Sequence, residues 1–213
     1  GCHKGCALVP PLMSNVGPHN MGYSLSLLAV PTSAAAEALR QLGYLRTGQS
    51  CEYAREPLSS YELPANWFLI VARGCDSRFL QPKILAPLSE HFPVVACSIE
   101  EHVMFSSAEY WADGNQVWRA EHVGENGPIH LKTSGALPGG FEAMAAEHKR
   151  AQEADGGEKA GVDHYFEIPL NAAKEVIGFK HDEDIPGVDY EGFEVLRKGP
   201  SSADSKPWWR FWK

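Results

Sequence analysis

Hydrophobic positions along this chain come in short runs punctuated by Gly, Pro and polar clusters, so the pattern predicts brief elements rather than long ones. Residues 23–30 read as a strand, followed by Pro31-Thr32-Ser33 and a helix-forming run over 34–42 that Gly43 is placed to terminate. Residues 67–72 are continuously apolar between Pro64 and Gly74, the signature of a buried central strand. A helix is predicted over 83–91, with Pro82 tolerated in its first turn.

The longest β signal covers 93–105. Val95, Cys97, Ile99, Val103 and Phe105 share one parity and Ser98, Glu100 and His102 the other, which predicts one core face and one wet face. Asp113-Gly114 and Glu125-Asn126-Gly127 are turn signals that bracket strands over 116–123 and 129–133, completing a three-stranded meander. A helix over 141–154 follows, with Phe141, Met144, Ala145 and His148 on one stripe, then a strand over 165–168, a short helix over 170–177 closed by Gly178, and an edge strand over 193–196.

Strands alternate with helices early and give way to a meander later, which argues for an α+β fold with one mixed or mainly antiparallel sheet and helices chiefly on one face. A doubly wound parallel fold would need a glycine-rich phosphate loop after the first strand, and Val30-Pro31-Thr32-Ser33-Ala34 has no glycine. The division expected is a flexible leader over 1–20, one domain over 21–197, and a linker with a Trp-rich tail over 198–213.

Charge narrows the partners. Nineteen Lys and Arg against 27 Asp and Glu give a formal net charge of −8, so nucleic acid is not an expected partner and a basic protein is. Five cysteines, an odd number, with Cys51, Cys75 and Cys97 far apart, suggest reduced thiols and a cytoplasmic setting. No stretch approaches the roughly 18–20 apolar residues that span a bilayer.

The sharpest chemical candidate is Glu100 with His102, two apart on a strand and therefore on one face, joined by His122 from a neighbouring strand. Carboxylate and imidazole there suit acid–base work. Their spacing matches no metal motif, and neither a metal nor a cofactor is expected. Asp182, Glu183 and Asp184 form an acidic turn without the glycine spacing of a calcium loop, which points to a binding surface. Trp208, Trp209, Arg210, Phe211 and Trp212 give the tail a composition suited to docking on its own domain, binding a partner, or touching a membrane interface. The leading expectation is a cytosolic, non-enzymatic protein-binding module with an acidic surface, immunity- or inhibitor-like by analogy of size and charge only. The alternatives are a hydrolytic or metal-dependent enzyme with a His/Glu site on the sheet face and a self-associating structural component.

Overall fold

The computed structural model describes residues 22–199. Nine strands, β1 (Ser24–Pro31), β2 (Tyr44–Cys51), β3 (Leu58–Glu62), β4 (Trp67–Arg73), β5 (Val94–Glu100), β6 (Phe105–Ala112), β7 (Asn115–Val123), β8 (Lys132–Gly135) and β9 (Phe193–Lys198), build one sheet. Its order is β2-β9-β3-β4-β1-β5-β6-β7-β8, and neighbours pair antiparallel throughout. With helices α1 (Ala35–Leu42), α2 (Pro82–Leu88), α3 (Phe141–Ala154) and α4 (Glu167–Ile177), this is an α+β fold.

Side-chain alternation sorts the core into two layers. On β1, Leu25, Leu27 and Ala29 pack with α3 and α4, while Leu28 and Val30 pack with α1 and α2. Both faces of β1, β4 and β5 are covered; β4 reads accordingly as a continuous apolar run, whereas β5, expected to keep one face wet, buries Val94 and Ala96 against α1 and α2. The helices divide between the faces, α3 and α4 on one and the shorter α1 and α2 on the other, so the expected bias to one face is one of length rather than number.

Helix ends follow local chemistry. Gly43 and Gly178 close α1 and α4 in the left-handed conformation at φ 72° and 71°, where a glycine meets no Cβ penalty. Pro82 occupies the first turn of α2.

Four expectations are corrected. The strand over 93–105 breaks after Glu100 into a 3-10 turn (Glu101–Val103) and Met104 at φ 50°. Phe105 therefore pairs with Glu100 and joins its face instead of the core parity. Residues 105–112 form β6, making the meander four-stranded. Residues 165–168 are not a strand but lead into α4, and β9 lies inside the sheet between β2 and β3 rather than at an edge.

Candidate functional site

Toward the Ser24 end of the α1 face, the side chains of β5, β6 and β7 turn polar. Ser98 stands opposite Ser107, and Glu109 opposite Arg119. The connection from β4 to α2 passes over them. Ser26 Oγ donates to the Gly74 carbonyl at 2.6 Å and accepts from Ser77 N at 3.0 Å, while Ser98 Oγ donates to the Cys75 carbonyl at 2.5 Å. Sheet serines thus supply the hydrogen bonds that a half-buried loop backbone requires.

Between loop and sheet lies a cavity of about 300 Å³. Ser98, Phe105, Ser107, Glu109 and Arg119 contribute its floor, and Cys75, Asp76 and Leu80 its roof. Glu109 is buried but satisfied, accepting from Trp111 Nε1 at 2.8 Å, Gln116 Nε2 at 2.9 Å and Arg119 Nη1 at 2.5 Å. Arg119 also binds Glu121. The three donors to Glu109 offset the cost of burying its oxygens.

Glu100 and His102 meet at the margin of this region. His102 Nδ1 lies 2.6 Å from Glu100 Oε1, and Ser24 Oγ donates to Glu100 Oε2 at 2.5 Å. The Ser24 hydrogen bond, then that of His102, holds the Glu100 carboxyl below its usual range despite some desolvation. The neighbouring Cys75 thiol is pushed up by burial and by Glu100, against a hydrogen bond from Ser24. Cys97, buried in the α4-side core, is pushed up to about 12, by burial first and then by Glu109. Both thiols remain protonated near neutral pH, which is unsuited to nucleophilic attack.

His122 does not join them. It pairs with Ser106 on the opposite face of the sheet, fully buried. Its Nδ1 donates to the His130 carbonyl at 2.7 Å, and its Nε2 sits 2.9 Å from Asp163 Oδ2, outside hydrogen-bond alignment. Asp163 in turn accepts from Tyr165 N and Phe166 N at the entry to α4, and Ser106 Oγ donates to the Phe166 carbonyl at 2.7 Å. Its contacts tie β7 to the start of α4. The expected trio is thus split by the sheet: Glu100 and His102 bond to each other, and His122 is a buried tie elsewhere.

On that α4 face lies a second polar cluster that sequence reasoning missed. Lys180 is 6% exposed and contacts Glu167 at 2.8 Å, Asp182 at 2.6 Å and Glu183 at 3.4 Å. Burial alone would depress its ammonium, but the hydrogen bonds to Asp182 and Glu167 outweigh it and hold the group above its ordinary value. Glu183 also binds Lys174. Beside it, the buried His181 reaches Glu101 Oε1 through Nε2 at 2.8 Å, and Glu101 Oε2 accepts from Tyr23 N at 2.7 Å.

Of the acidic turn, then, Asp182 and Glu183 are largely engaged in holding Lys180, while Asp184 is exposed. The only cue in the sequence is a lysine set between Phe179 and an acid run. Trp208, Trp209, Arg210, Phe211 and Trp212 lie outside the described residues.

Glu101 supplies a pH test. The His181 hydrogen bond, against the opposing effect of burial, holds its carboxyl below 4.5 in the folded chain. A depressed carboxylate stabilises the fold above its unfolded pKa, and that contribution is lost as pH falls through the lower folded value. Stability to urea, followed from about pH 6 to about pH 3, is expected to fall less steeply in Glu101→Gln than in the parent. Parallel profiles would show that Glu101 gains nothing from His181.

No group of His, Cys, Asp and Glu among the described residues is arranged to hold a metal ion, and none of the described helices is long and apolar enough to cross a membrane. Compared with protein-family models, curated proteins and solved structures, the chain finds no match.

Proposed function

We propose that the chain is a non-enzymatic, cytosolic protein-binding module that presents an acidic surface to a basic partner. The carrying observation is the distribution of charge. The described residues hold 15 Lys and Arg against 26 Asp and Glu, a formal −11. Two loops, 52–57 and 181–192, contribute seven of those carboxylates against the single guanidinium of Arg55; Asp182 and Glu183 are paired with Lys180 and Lys174, which leaves five.

Cross-bracing supports the two loops as one rim. Tyr53 N donates to the Tyr190 carbonyl at 2.7 Å, and Tyr190 Oη donates to the Glu183 carbonyl and accepts from Ile185 N. Glu52, Asp182, Asp184, Asp189 and Glu191 are all exposed there. A like-charged rim steers an oppositely charged partner and sets its orientation more than it supplies raw affinity. Among the described residues the three cysteines, Cys51, Cys75 and Cys97, are free thiols, which suits a reducing compartment.

The test is titration of a Lys/Arg-rich peptide against the parent and against an Asp184→Lys, Asp189→Lys, Glu191→Lys variant. Binding that weakens at least about tenfold on reversal, and falls as salt shortens the Debye length below about 8 Å, is the expected result. Affinity that is indifferent to the reversal, or no binding even at low salt, would overturn the reading.

A further inference from the structure

The cavity between the β4–α2 connection and strands β5–β7 is independent of the acidic rim, and its chemistry selects a ligand. Its volume of about 300 Å³ reaches the lower bound of small-molecule sites. One wall is apolar, from Leu80 and the Phe105 ring; the floor carries the facing serines Ser98 and Ser107, 9% and 6% exposed.

Charge gives the sign. Arg119 is the cation in the lining, and its guanidinium is already divided between Glu109 and Glu121. Asp76 lines the roof with its carboxylate in no ion pair among the described residues. An anion placed here would face Asp76 with no unshared cation to offset it. A cation gains Asp76, hydroxyl acceptors and the Phe105 face.

We propose that this cavity binds a small organic cation, an alkyldiammonium with one charged end toward Asp76 and the serine floor, its carbon chain along Leu80 and Phe105, and its second charged end in solvent. The pocket provides the exposed carboxylate of Asp76 at its mouth, two hydroxyls and an apolar wall, the few polar groups in a partly apolar cleft that small-ligand sites use.

The experiment uses the whole chain and three probes of matched length: 1,4-diaminobutane, 1,4-butanediol and succinate. Calorimetric titration and the shift of the thermal midpoint are the readouts. The diamine alone is expected to bind and raise the midpoint. Asp76→Asn is expected to weaken it about tenfold or more. Ser107→Leu, which fills the floor, is expected to abolish binding; Ser107→Ala, which removes one acceptor hydroxyl but leaves the space open, is expected to weaken it by less than Asp76→Asn does and serves where the larger side chain impairs folding.

Reversal of Asp184, Asp189 and Glu191 is expected to leave diamine binding unchanged, which separates this site from the acidic rim. The proposal fails if no probe binds or if butanediol or succinate matches the diamine. It also fails if diamine affinity survives both Asp76→Asn and Ser107→Leu, or is lost with the rim reversal alone.

Discussion

Replacing Lys180 with Met lowers the thermal midpoint by an expected 6–12 °C, on the basis of roughly 3 kcal/mol for removing one partner of a buried ionic cluster and about 2–4 °C per kcal/mol in a chain of this size. The effect comes less from the ion pairs removed than from the charges left behind. Glu167, Asp182 and Glu183 converge on the ammonium, and without it three carboxylates repel one another around an apolar stem. A second substitution separates this cause from weakened packing. Glu167→Gln in the Lys180→Met background removes one stranded charge and is expected to recover part of the loss, although Glu167→Gln alone destabilises. Additive losses would show that Lys180 acts through its methylene packing instead.

Phe68→Ala is expected to cost about 3–5 kcal/mol, the range for deleting a buried aromatic ring where the surroundings cannot collapse. Phe68 is fully buried on β4, which is paired on both sides, opposite Val30 of β1 and Glu62 of β3. The Arg46 guanidinium lies over its ring, 5.4 Å from the centroid. Urea unfolding is expected to show a lower midpoint with an unchanged slope, and Phe68→Leu to lose less than about 1.5 kcal/mol. A Phe68→Ala cost under about 1 kcal/mol would contradict a tightly packed α1-side core.

The elements legible in the sequence are those whose burial is uniform along their length. Residues 67–72 and 27–30 are apolar on both parities because both faces are covered, and 141–154 matches α3 from end to end. What escapes is set by tertiary context. β2 carries Arg46, Thr47, Gly48, Gln49 and Ser50 and is mostly exposed at a sheet edge, while β3 buries Ser59 and Ser60; neither has the alternation that marks a strand. The break at 101–104 is hidden because Met104 takes a left-handed backbone without a glycine to announce it.

The candidate site divides along the same line. Glu100 and His102 are neighbours in sequence, and their hydrogen bond follows from local geometry alone. His122 is misplaced by sequence reasoning because register decides the face, and one turn residue decides register. The His181–Glu101 contact joins residues 80 positions apart, and the cavity roof comes from a connection with no period, so neither leaves a local trace.

The position of β9 has a consequence for how the molecule is made. Thr47 Oγ1 donates to the Val195 carbonyl across 148 positions, and β9 fills the gap between β2 and β3. While the ribosome is still translating the earlier residues, those two strands have no hydrogen-bonding neighbour in that gap. Their open edges stay exposed until residues 193–198 emerge, and the closing step spans most of the described residues. Such long-range closure is slow and offers edges for pairing with other nascent chains, so the emergence of β9 governs when this sheet becomes safe from aggregation.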